Sequence, residues 1–177
     1  MPETGYRTAT AAASISVTGS DSVWSSATNA RVSDNGYASV SLSTNAWARA
    51  LIVSNFGFSV PDNALGLTIT AEVEIKSSAA APVSVYLAPT VDQNVSVGYA
   101  NSLTSLPNMD TVYTVANTTS GWGQPDLTPA MINSAGFGFI LRARNLDTTT
   151  RTVTVDAIRL NISWVDPASG NPFLGFF

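Results

Sequence analysis

The 177 residues include neither cysteine nor histidine, which excludes disulfides, thiolate metal centres, thiol nucleophiles and any mechanism that passes a proton through imidazole. Only 11% of residues are charged, the net charge is -4 and Lys76 is the sole lysine, so the chain lacks a basic patch for phosphates and no nucleic acid partner is expected. Polarity comes instead from 22 serines, 20 threonines and 13 asparagines, a composition that suits pleated strands and turns on a single domain of ordinary size.

Residues 1–14 are small and polar, with an alanine run from Ala11 to Ala13; too few apolar anchors predict a flexible N-terminal arm. Glu3 and Arg7 do not lead into an apolar stretch, so the start does not read as a signal peptide. No window approaches 18 apolar residues, so no membrane insertion is expected. Residues 15–165 read as a β-sandwich domain. Tyr37 to Leu42 alternates, with Ala38, Val40 and Leu42 inward, and Asp34-Asn35-Gly36 supplies the turn that feeds it. Ala50 to Val60 is read as one strand with Ile52, Phe56, Phe58 and Val60 on a shared face, closed by Pro61, and Gly57 is expected to mark close backbone packing.

The clearest alternation runs from Leu67 to Ile75, where Leu67, Ile69, Ala71, Val73 and Ile75 share one face and Thr68, Thr70, Glu72 and Glu74 the other. Further strands are predicted at Val83 to Leu87, Val95 to Tyr99, Thr111 to Val115 and Gly136 to Arg144. Thr128-Pro129 opens the one predicted helix, a turn or two long, with threonine as cap and proline at the first position. The last strand, Arg151 to Val165, changes phase: Val153 and Val155 are apolar at odd positions, Ile158, Leu160, Ile162 and Trp164 at even ones. A bulge or change of sheet is therefore expected near Asp156-Ala157. About eight strands and one short helix predict an all-β, two-sheet antiparallel jelly-roll sandwich.

Candidate chemistry is sparse. Glu72 and Glu74 have α-carbons about 6.5 to 7 Å apart, a spacing compatible with glycosidase carboxylates, but solvated acids on a half-wet strand are the ordinary reading. Lys76 reads as a solubilising edge charge. No catalytic residue, bound cofactor or metal ligand set is assigned. Structural calcium is the one metal that suits so oxygen-rich a chain, through Asp34, Asp62, Asp126 or Asp147, although those positions read first as turn residues. Asp156 interrupts an apolar strand and calls for a partner, with Arg142 or Arg159 as candidates. Trp24, Trp47 and Trp122 fall in or beside predicted loops, where they either anchor the sandwich ends or stack on sugar rings; Trp122, inside Gly121-Trp122-Gly123, is the best placed for a surface role.

Residues 166–177 pass from a polar linker into Phe173-Leu174-Gly175-Phe176-Phe177. Such an apolar tail either docks back onto its own fold or meets a partner. Tyr6, Trp122, Phe173, Leu174, Phe176 and Phe177 are the candidate interface residues.

The ordered run of Trp24, Asn29-Ala30, Asp34-Asn35-Gly36-Tyr37-Ala38 and Val53 through Pro61, followed by Glu72-Val73-Glu74-Ile75-Lys76, Gly121-Trp122-Gly123, Phe137-Gly138-Phe139 and Val155 through Leu160, resembles small jelly-roll structural proteins of tailed bacteriophages. That resemblance covers roughly Trp24 to Trp164 and implies a non-enzymatic virion part made in the bacterial cytoplasm. The implied role is a capsid decoration or cement subunit, a homo-oligomer bound to the major capsid protein or other virion proteins. The alternative is a tail or fibre-associated module that binds a host surface glycan, with Trp122 and its loops as the expected contact.

Overall fold

The computed structural model describes residues 1–20, 22–95 and 101–167. In chain order the strands are β1 (Arg7–Thr8), β2 (Ala11–Ile15), β3 (Ala38–Leu42), β4 (Ala50–Ser54), β5 (Leu65–Ser77), β6 (Val83–Val91), β7 (Asn101–Leu103), β8 (Thr111–Thr118), β9 (Phe137–Asn145) and β10 (Arg151–Val165), with helix α1 (Pro129–Asn133) before β9. They form two antiparallel sheets. Sheet A runs β1-β10-β5-β8, with β3 also paired to β10, and sheet B runs β2-β4-β9-β6-β7. The chain is thus the expected all-β jelly-roll sandwich, with ten strands among the described residues.

The two additional strands come from the segment expected to be a free arm. Arg7 and Thr8 pair with Leu160 and Arg159 in sheet A, and Ala11 through Ile15 pair with Ser54 through Ala50 in sheet B. Ahead of them, the Thr4 N–H donates to the Ile162 carbonyl and the Trp164 N–H to the Pro2 carbonyl. Residues 1–14 are held mainly by ladder hydrogen bonds, with Ala9 alone buried in the core. A count of apolar anchors is blind to that term, because every backbone carries the same donors and acceptors.

Period-two alternation fixes β5. Leu67, Ile69, Ala71, Val73 and Ile75 are buried, and the residues between them are half-buried. In β10 the register against β5 slips between Val155 and Ala157, the expected bulge, which lets Val153 and Val155 share the core with Ile158, Leu160 and Ile162. Asp156, buried at the bulge, accepts from the backbone N–H groups of Asp34 (3.3 Å) and Asn35 (3.2 Å). Its partner is therefore the Asp34-Asn35-Gly36 turn rather than Arg142 or Arg159. The same turn is closed by the Gly36 N–H donating to the Asp34 carboxylate at 2.9 Å, with Asn35 at φ 63.

The Ala50 to Val60 expectation needs correction. Pairing stops at Ser54 because Asn55 adopts φ 61 and Gly57 φ 65. The phase then flips: Ile52 faces outward, while Phe56, Phe58 and Val60 join the main core. Gly57 is there for its left-handed backbone, since a β-carbon on it would touch nothing within 4 Å. Close approach occurs instead at Gly138, where a β-carbon would lie 2.6 Å from the Val53 carbonyl oxygen. Val60 is held by Asn133, whose amide donates to the Val60 carbonyl and accepts its N–H, both at 2.8 Å. Helix α1 begins as expected, with the Thr128 hydroxyl accepting from the Met131 N–H at 3.3 Å and Pro129 in the first turn. Of the expected strand Val95 to Tyr99, Val95 is outside any strand and residues 96–100 lie outside the described residues; the next described strand, Asn101–Leu103, pairs with β6 on the side away from β9. No described helix is long and apolar enough to cross a membrane.

Candidate ligand-binding face

The tryptophan expected at the surface is in the core. Trp122 is fully buried, its indole N–H donates to the Ile69 carbonyl at 3.0 Å, and its ring meets Phe139 edge-on at 5.4 Å between centroids. The loop between β8 and α1 brings Gly121-Trp122-Gly123 back over the sandwich, so the glycines are turn residues around an inward ring. Trp24 is also buried, with its indole N–H on the Arg49 carbonyl at 2.8 Å. Trp47 alone of the three is half-buried on the surface.

Trp47 stands on the outer face of sheet B. In β4, β6 and β9 the inward residues Leu51, Val53, Val83, Val85, Leu87, Phe137, Phe139, Leu141 and Ala143 fill the main core. Alternation turns the others outward. At one end of the face Ala50, Ile52, Ala88 and Ile140 form a small apolar cluster on which Ile15, Val17 and Val95 pack. At the other end β9 presents Arg142 and Arg144, paired across to Tyr86 and Ser84 of β6, and Trp47 is bridged to Arg144 from the opposite side.

These four side chains are in contact. The Trp47 and Tyr86 rings lie 5.2 Å apart, tilted by 33°, and the guanidinium carbons of Arg142 and Arg144 sit 4.7 Å and 5.4 Å from the Trp47 ring centre. Cation–π attraction holds both arginines against the indole. Neither has a hydrogen-bond or ion-pair partner among the described residues, and the Nε atom of each is covered and unpaired. The Arg49 Nε, in the segment joining Trp47 to β4, is covered and unpaired as well. Other arginines are engaged: Arg159 with Glu72 at 2.9 Å, Arg151 with Asp147 at 2.7 Å, and Arg31 with the Thr28 and Thr10 carbonyls. None of the five strands of sheet B includes an Asp or Glu.

The remaining candidates are dispersed. Glu72 is committed to Arg159, and Glu74 accepts from the Ser33 hydroxyl at 2.8 Å. Lys76 pairs with Asp110 at 2.8 Å and lies over the Tyr37 ring. Tyr6 is exposed on sheet A beside Arg159, and burial first, then the Glu72 carboxylate, pushes its hydroxyl pKa up. Asp34 and Asp147 cap turns, and among the described residues no three acidic side chains gather in a way that suits a metal ion. Phe173, Leu174, Phe176 and Phe177 lie outside the described residues. A shallow cleft of about 230 Å³ opens beside Gln124, Asp126 and Met131 at one end of the sandwich, with no aromatic ring in its lining.

No family model matches the chain, and no curated protein does. Among solved structures, the chain is similar to one described as "CBM4 structure and function", with TM-score 0.48 and 13% identity over 91% of this chain and 95% of that one. It is also similar to the N-terminal cellulose-binding domain from Cellulomonas fimi β-1,4-glucanase C, with TM-score 0.43 and 14% identity over 91% and 89%. A third is the xylan-binding module CBM15, with TM-score 0.34 and 13% identity over 92% of each chain.

Proposed function

We propose that this protein is a non-enzymatic glycan-binding module whose ligand lies across the outer face of sheet B at Trp47, Tyr86, Arg142 and Arg144. The observation that carries this reading is the joined Trp47–Tyr86 pair flanked by two guanidinium groups that have no hydrogen-bond or ion-pair partner among the described residues. Aromatic bodies with adjacent donors suit sugars, whose rings offer apolar C–H faces and polar rims. An open sheet face suits an extended chain better than a small molecule that must be enclosed. The strands of this face contribute no carboxylate for glycoside hydrolysis.

Titration calorimetry of the full chain against a panel of neutral and acidic oligosaccharides tests the reading. Saturable binding that weakens at least about tenfold in Trp47→Ala is expected; absence of binding across the panel rejects it. A second reading, that the module is part of a bacteriophage virion, rests on the sequence resemblance. In that setting the glycan is a host surface glycan and the site is tail-associated, whereas a decoration subunit binds the major capsid protein. Localising the protein on intact particles separates these two places.

A further inference from the structure

On the glycan-binding reading, we infer that the sugar is acidic: the face is built to take a negatively charged pyranose, with the charge at Arg142 and Arg144. The chain as a whole carries a net charge of -4, yet the five strands of this sheet contain two arginines and no acid. The arginines are two residues apart on one strand face, which places their α-carbons about 6.5 to 7 Å apart. Both are drawn over one indole, and neither meets a carboxylate among the described residues. Two like charges half-covered side by side repel each other and lose hydration. On the opposite sheet the equivalent outward arginine, Arg159, is neutralised by Glu72 across the ladder.

The geometry also says where the ligand's charge goes. Only the Nε atom of each arginine is both sealed and unpaired, so the terminal nitrogens are the donors left to solvent. Contact with Trp47 holds both guanidinium groups in place, and arginine binds carboxylate or sulfate through paired terminal N–H donors. Tyr86, paired across the ladder to Arg142, keeps its ring against Trp47 beside the charge. Carboxylated and sulfated sugars share this chemistry.

Calorimetry with the full chain distinguishes them, using an oligogalacturonate, its methyl ester, a sulfated oligosaccharide of similar length and a neutral cello-oligosaccharide. Expected is binding of the free acid or the sulfate at least roughly tenfold tighter than the ester or the neutral sugar. It should weaken as salt rises from about 20 mM to about 300 mM, and the preference should be lost in Arg142→Gln/Arg144→Gln. Tighter binding of the acid than of the sulfate assigns a uronate; the reverse order assigns a sulfate ester. Neither the acid nor the sulfate binding the unaltered protein more tightly than the ester and the neutral sugar overturns the acidic inference while leaving the glycan reading intact. Binding of none of the four overturns both.

Discussion

The outer faces of the two sheets are built by the same alternation and end in opposite electrostatic states. On sheet A every outward charge of β5 has a partner: Glu72 has Arg159, Glu74 has Ser33 and Lys76 has Asp110. On sheet B the outward charges of the strands are Arg142 and Arg144, which have an aromatic ring and, among the described residues, no acid. The first face is complete in itself and the second is unfinished. A protein surface needs no ligand where its own side chains satisfy its charges, so the face whose arginines meet no acid is where binding energy is available.

The largest expected effect tests whether the tryptophans divide as their positions say. Trp122→Ala removes a fully buried ring and should cost about 3 to 5 kcal/mol in urea unfolding, whereas Trp47→Ala, on the half-buried face, should cost about 1 to 2 kcal/mol. Equal losses would break the distinction between a core tryptophan and a binding one. Next is Asp156→Ala, which strands the Asp34 and Asn35 N–H groups at the bulge; a loss of about 1 to 3 kcal/mol is expected, with Asp156→Asn milder because one acceptor survives. On the self-neutralised face, Glu72→Gln should change stability by less than about 1 kcal/mol and leave sugar affinity unaltered; reduced affinity would place ligand on the wrong sheet.

The smallest effect is the pH response of the Lys76–Asp110 pair. Burial pushes the Asp110 carboxyl up, but hydrogen bonds from Lys76 and Tyr37 outweigh it and hold the group below the usual carboxylate range. The hydrogen bond to Asp110 in turn holds Lys76 above its ordinary value. A depressed carboxylate adds stability above its unfolded pKa that fades as pH falls through the folded one. A raised ammonium adds stability at lower pH that fades as pH rises through its folded pKa. Lys76→Met should therefore flatten both the acid and the alkaline limbs of the stability profile, measured by thermal melts across pH. An unchanged alkaline limb would show that the pair contributes nothing.

Much of the fold was legible in the sequence because its causes are local. The alternation of Leu67 through Ile75, the Thr128-Pro129 helix start and the phase change at Asp156 each depend on neighbours within a few residues, and each appears in the structure. Residues 1–14 were misjudged because backbone pairing leaves no compositional mark. Ala50 to Val60 was misjudged because one left-handed asparagine reverses which face every later residue takes. The site was half legible. Phe137, Phe139, Leu141 and Ala143 inward already imply Arg142 and Arg144 outward, whereas Gly121-Trp122-Gly123 marks a turn without saying which way the ring goes.

By itself the sequence determined which side chains share a face within an unbroken strand, that the chain makes two-faced strands, and that imidazole and thiol chemistry are absent. Only the tertiary structure decided that Trp47 and Tyr86 meet, that Arg142 and Arg144 share one indole, and that Glu72 neutralises Arg159 on the other sheet. The reason is the geometry of a strand: two-residue periodicity sets the direction of a side chain locally, whereas its neighbour across the ladder comes from a distant segment and is set by register.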